Sequence, residues 1–119
     1  MKVRRGDVVL VDYPFSDRSG SKVRPCVVVQ SDHNNQRLAD TIVVTISSRI
    51  QHAATEPTQL LIDVTTPTGQ QSGLLFTSAV QCENILTIDS GFTLRKIGAL
   101  SPNVMQQIND CLKAALQIP

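Results

Sequence analysis

The chain has 119 residues and a mass of 13.0 kDa, with 41% hydrophobic and 18% charged residues, the balance of one compact domain over residues 1–119 with no room for a second. A net charge of +1 excludes a strongly basic duplex binder, whose affinity comes from neutralising phosphates, and one Tyr, three Phe and no Trp exclude rows of stacked bases. Charge is nevertheless uneven: eight Lys and Arg face five Asp up to Arg49, and three face five acids beyond it, so an anion site is expected in the first half.

In chain order, Val8 to Tyr13 is short, β-branched and ended by Pro14, which predicts a first strand. The Ser16 to Lys22 stretch carries Asp-Arg-Ser-Gly-Ser turn chemistry and reads as a loop. Arg24-Pro25 then leads into Cys26-Val27-Val28-Val29, apolar on both faces and so a central strand, with Pro25 at its beginning where a missing N–H is harmless. Ser31 to Asp40 is a polar loop with room for one helical turn, and Thr41 to Ser48 is a third strand.

Two further apolar runs, Gln59 to Val64 and Gly73 to Thr77, are expected strands separated by a Thr-Pro-Thr-Gly turn. In Ser78 to Ile85, Val80, Cys82 and Asn84 share one face by alternation, and Gln81, Glu83 and Ile85 the other. A last strand covers Leu94 to Leu100. Ser101 as N-cap and Pro102 at the first helical position open a helix, along which Val104, Ile108, Cys111 or Leu112, and Ala115 form an apolar stripe. Five to seven short strands without β-α-β alternation predict a mainly β fold, a small curved antiparallel sheet or barrel with a C-terminal helix as scaffold.

Cys26, Cys82 and Cys111 are odd in number, sit in apolar surroundings and lack Cys/His ligand spacing, which predicts three reduced core cysteines in a reducing cytoplasm. No run is long enough to span a bilayer, and Asp7 and Asp12 interrupt any signal-peptide core. His33 and His52 lie in polar segments without partner spacing. No metal-ligand, Walker-type or G-x-S-x-G pattern appears, so neither a metal nor another cofactor is expected.

Three places could carry chemistry. Arg24 stands at a loop-to-strand junction before a proline that stiffens the backbone, and a planar guanidinium matches phosphate oxygens and the charge of a phosphoryl-transfer transition state. Thr45, Ser47, Ser48 and Arg49 cluster hydroxyls and a cation at a strand end, a combination that can hold a phosphate. Gln81, Glu83 and Asn84 could read base edges or move protons. Each alone also fits an ordinary solvated strand end.

Taken together, R-R-G-D-V-V-L-V-D-Y-P-F, V-R-P-C-V-V-V-Q, Asn35, I-V-V-T-I-S-S, Pro57-Thr58, G-L-L, C-E-N-I-L-T-I-D and I-G-A-L-S follow one another in an order and spacing that resembles the MazF/PemK/Kid family of toxin endoribonucleases from type II toxin–antitoxin modules. The resemblance covers essentially the whole chain. It implies an SH3-like barrel with a C-terminal helix, related also to the CcdB fold, and a homodimer. It further implies metal-independent, sequence-selective cleavage of single-stranded RNA, and a cognate antitoxin whose disordered tail occupies the RNA groove. By the same resemblance Arg24 and Ser47 act at the scissile phosphate. The substrate's own 2′-hydroxyl is the nucleophile, leaving a 2′,3′-cyclic phosphate and a 5′-hydroxyl, so no enzyme nucleophile or metal is required.

Glu83 and Asn84 match the family's acidic-then-amide pair and are carried over as RNA contacts, with Lys22, Thr45, Ser48, Arg49 and Gln81 as further candidates. The chain departs from the family at three points. Asp17 and Ser19 stand in the first loop where many relatives have a Glu, Gln81 where some have an Arg, and Leu86 where some have a basic residue. Those departures keep open a second reading, a non-catalytic binding protein on the same fold such as a gyrase inhibitor of the CcdB type.

Overall fold

A computed structural model describes residues 2–14, 17 and 19–119; Ser16 and Arg18 of the expected first loop, and Phe15 of the first sequence block, lie outside the described residues. Among those described, six strands form one antiparallel sheet: β1 Asp7–Pro14, β2 Ser21–Val28, β3 Asp40–Ser47, β4 Gln59–Ile62, β5 Ser78–Asp89 and β6 Thr93–Ala99, in the spatial order β4-β5-β3-β2-β1-β6. Three helices accompany them: α1 Asp32–Arg37, α2 Pro67–Ser72 and α3 Pro102–Leu116.

The central strands are buried on both faces, as the apolar run in β2 predicts. Val8, Val27, Val44, Ile46, Val80 and Cys82 pack on one face against Val104, Met105, Ile108 and Cys111 of α3. Val9, Val11, Cys26, Val28, Val43 and Ile88 fill a second cluster on the other face. Valine dominates both, because a β-branched side chain fits the pleated surface with little loss of rotamer freedom. All three cysteines are free thiols inside these cores. Burial pushes Cys26 and Cys82 up to about 12 and raises Cys111 as well.

Helix α3 begins as its sequence signature predicts. Ser101 accepts a hydrogen bond from the Val104 N–H, and Pro102 occupies the first turn. The same signature governs α2, where the expected turn at Thr66-Pro67-Thr68-Gly69 is instead the start of a helix: the Thr66 hydroxyl accepts from the Gly69 N–H at 3.1 Å and Pro67 follows it. Gly73 to Thr77, expected as a strand, pairs with no strand. Gly73 caps α2 with φ of 73°, and a Cβ there would lie 1.9 Å from the carbonyl oxygen of Ile97. A Cβ on Gly98 would lie 2.3 Å from the carbonyl oxygen of Gln71. Two glycines thus let the end of α2 press backbone to backbone on edge strand β6, and the chain leaves that contact unable to lie in the sheet.

Two irregularities in the sheet create open backbone. Strand β2 starts at Ser21, earlier than expected, and Pro25 lies within it, opposite Leu10 of β1. The ladder between β2 and β3 covers only Cys26–Thr45, Val27–Val44 and Val28–Val43. Beyond Cys26 the two strands fork apart, so one side of Pro25 is unpaired and tolerates a residue without an N–H. In β5, Ile85 faces Val44 but Gln81 faces the adjacent Thr45, so Cys82, Glu83 and Asn84 bulge out of the ladder with β3. The bulge overturns simple alternation: Asn84, expected on the face of Val80 and Cys82, is exposed.

Candidate nucleic-acid site

The β2–β3 fork opens into a groove of about 880 Å³. Continuing the register past Cys26–Thr45 sets Arg24 level with Ser47, on the same face of the sheet and just beyond the last ladder pair. Both side chains line the groove. So do Lys22, Ser48, Arg49 and Gln81, and Arg95 enters from β6. Among the described residues, four cations therefore line one groove, in a chain of net charge +1, and no carboxylate or histidine lines it. Ionic neutralisation does not relieve them: the one ion pair among the described residues is Lys96 with Asp7, at 3.2 Å.

Arg24 is the most constrained of the four. Its guanidinium lies over the Tyr13 ring, 5.8 Å from the centroid. Its Nε is buried and has no hydrogen-bond partner among the described residues. Buried donors are normally paired, so this unpaired Nε sets Arg24 apart among the described residues. Ser47 is half-buried; its hydroxyl accepts from the Arg49 N–H at 3.1 Å, which leaves the hydroxyl proton free to donate.

The other sequence candidates stand apart from the groove lining. Thr45 is buried behind Gln81, with its hydroxyl 3.4 Å from Gln81 Oε1. Asn84 donates to the same Oε1 at 2.9 Å, which fixes the amide that does face the groove. Glu83 accepts from the Thr58 hydroxyl at 2.9 Å and from Gln59 Nε2 at 2.8 Å, on the bulge. Asp17 and Ser19 close a local turn in which the Ser19 N–H and hydroxyl donate to Asp17 Oδ1, and those bonds hold the Asp17 carboxyl below its ordinary range. His33 and His52 are exposed and outside the groove.

Sequence reasoning missed Arg95, Leu75, Phe76 and Ser78, all of which line the groove. Arg95 lies outside the half in which the cation excess placed the site. The signal for Leu75 and Phe76 was available in Leu74-Leu75-Phe76, which lacks the alternation of a half-buried strand.

The fold and this groove define a small β protein with a cation-lined groove at a fork between two central strands. The family described as PemK-like, MazF-like toxin of type II toxin-antitoxin system matches residues 4–116. The chain is 32% identical over 119 residues to Endoribonuclease EndoA of Bacillus subtilis (strain 168), covering 99% of this chain and 97% of that protein. It is 30% identical over 115 residues to Endoribonuclease MazF of Staphylococcus saprophyticus, covering 96% and 91%. Among solved structures, an endoribonuclease in complex with its cognate antitoxin from a mycobacterial species superposes with a TM-score of 0.77 at 25% identity, over 98% of this chain and 97% of that one. The chain belongs to the PemK-like, MazF-like toxin family of type II toxin–antitoxin systems.

Proposed function

We propose that this toxin is an endoribonuclease that cuts single-stranded RNA at the β2–β3 fork, with Arg24 and Ser47 at the scissile phosphate. The observation that carries the reading is Arg24 and Ser47 lining one groove that, among the described residues, presents four cations and no acid. Its relatives named as endoribonucleases support the activity, and the relative crystallised with its cognate antitoxin supports such a protein partner for this chain. The working form is a cytoplasmic homodimer.

The reaction needs no protein nucleophile and no metal. The ribose 2′-hydroxyl attacks the adjacent phosphorus as its proton departs, the bond from phosphorus to the 5′-oxygen breaks, and that oxygen takes up a proton. The products are a 2′,3′-cyclic phosphate and a 5′-hydroxyl. Arg24 counters the negative charge that grows on the phosphoryl oxygens, where a positioned donor contributes about 10²–10³ in rate. Ser47 donates to a phosphate oxygen, and strands β2 and β3, which carry the two residues, keep the 2′-oxygen in line with the leaving group. An arginine, protonated at any working pH, serves as charge and donor and not as base.

Incubation of the purified protein with long RNA in EDTA tests this, with the new ends mapped. Cyclic-phosphate and 5′-hydroxyl ends are expected, with cleavage lost in Arg24→Ala and reduced about 10-fold or more in Ser47→Ala. Intact RNA, or undiminished cleavage by Arg24→Ala, would refute the assignment.

A further inference from the structure

The Arg24–Ser47 face accounts for one stretch of the groove lining. Another stretch of the lining, from Leu75, Phe76 and Arg95, carries an independent set of features. Leu75 is 84% exposed and Phe76 70% exposed, although only three phenylalanines occur in the chain. Arg95 faces the same space from β6, opposite Leu10 of β1, with no acidic partner among the described residues. Its neighbour Lys96 is committed to Asp7.

Support for this stretch is rigid. The backbone contacts at Gly73 and Gly98 clamp the start of the Gly73–Phe76 segment onto the strand that carries Arg95. The Thr77 hydroxyl then accepts from the Val64 N–H at 3.2 Å, pinning the segment's far end. An exposed aromatic held at both sides and set in the same groove as a free guanidinium offers a flat apolar face and a cation, the two elements from which single-stranded nucleic-acid sites are built. Charge complementarity selects the occupant, since among the described residues the groove presents cations and no carboxylate.

We propose that Phe76 and Arg95 form a second subsite in which a nucleobase next to the cleaved bond stacks on the Phe76 ring while Arg95 holds the adjoining phosphate. Because β2 and β3 are unpaired beyond Cys26, one strand of RNA can cross the fork and touch both stretches of the lining. Phe76 sets which base is accepted there, and Leu75 flanks it as apolar packing. This subsite rests on the ribonuclease reading for its role in cleavage, but its binding function can be measured without any cleavage.

The test uses a labelled 12-nucleotide 2′-O-methyl RNA pool of random sequence, which lacks the nucleophile and cannot be cut, alongside an unmodified pool for cleavage mapping. Phe76→Ala is expected to weaken binding of the methylated pool about 5- to 100-fold, with Phe76→Tyr restoring it and Phe76→Leu failing to do so. Arg95→Gln is expected to lower the slope of log affinity against log salt by about 0.7, one phosphate contact on a single strand. Cleavage by Phe76→Tyr and Phe76→Leu should differ in the base preferred beside the cut. Equal binding by wild type, Phe76→Ala and Arg95→Gln would overturn the subsite whatever the cleavage result. Rescue by leucine as well as tyrosine, or a change of oligomeric state in Phe76→Ala by sedimentation, would overturn it in favour of apolar packing between copies of the chain. Binding that responds as expected in a protein that leaves the unmodified pool intact would refute the ribonuclease reading and leave the subsite standing.

Discussion

Replacing Arg24 with methionine is expected to make the free protein more stable while it loses activity. Methionine keeps most of the aliphatic stem and removes the guanidinium, whose Nε is buried without a partner. Leaving such a donor unpaired costs about 1–3 kcal/mol. Losing the contact with the Tyr13 ring offsets about 0.5–1 kcal/mol of that gain. A net stabilisation of about 0.5–2 kcal/mol follows, with a further small contribution from one cation fewer among four. For a domain of this length each kcal/mol moves the melting temperature by about 3–6 °C, so a rise of about 2–12 °C is expected in low-phosphate buffer. Adding inorganic phosphate should then raise the melting temperature of wild type more than that of Arg24→Met, since a ligand stabilises in proportion to its binding. A variant that melts below wild type without phosphate would show that the guanidinium holds the fold together, and the argument from an unsatisfied donor would fail.

The other predictions concern the frame around the groove. Gly73→Ala combines a left-handed backbone with a Cβ that would stand 1.9 Å from the Ile97 carbonyl oxygen; urea unfolding should show a loss of about 2 kcal/mol or more, and a smaller loss would mean that α2 shifts freely on β6. The three core thiols should be silent to Ellman's reagent at about pH 8 in the folded protein and react fully after denaturation. Burial raises the Cys26 thiol to about 12, against an unfolded value of about 8.5. That contribution to stability is complete below the unfolded value and is lost as pH rises through the folded one, at up to about 1.4 kcal/mol per pH unit for this thiol. An unfolding free energy that stays flat from about pH 9 to 11 would contradict the burial of this group.

Much of this molecule is legible in its residues wherever one local rule acts alone. The paired apolar faces of β2, the Ser101-Pro102 start of α3 and the buried cysteines each follow from one rule, and each stands in the structure as expected. Thr66-Pro67 obeys the same helix-start rule as Ser101-Pro102 yet reads as a turn, because six residues give no helical periodicity to recognise. Pro25 and Asn84 defeat expectation for a different reason. Their settings depend on where a ladder ends and where a bulge falls, and both are decided by neighbouring strands remote in sequence. The site divides in the same way. Arg24, Ser47, Ser48 and Arg49 are read from strand ends and lie together in the groove, whereas Arg95 and Phe76 arrive through the packing of α2 on β6, which no local pattern records.

The bulge at Cys82 to Asn84 separates two kinds of mutational freedom. Cys82 points into the core and is held by it, but Glu83 and Asn84 project from backbone that carries no pairing duty toward β3. Substitutions at these two positions leave the register of β3 and β5 untouched, and with it the spacing of Arg24 and Ser47. The surface beside the groove is therefore free to vary while the frame that spaces Arg24 and Ser47 stays fixed.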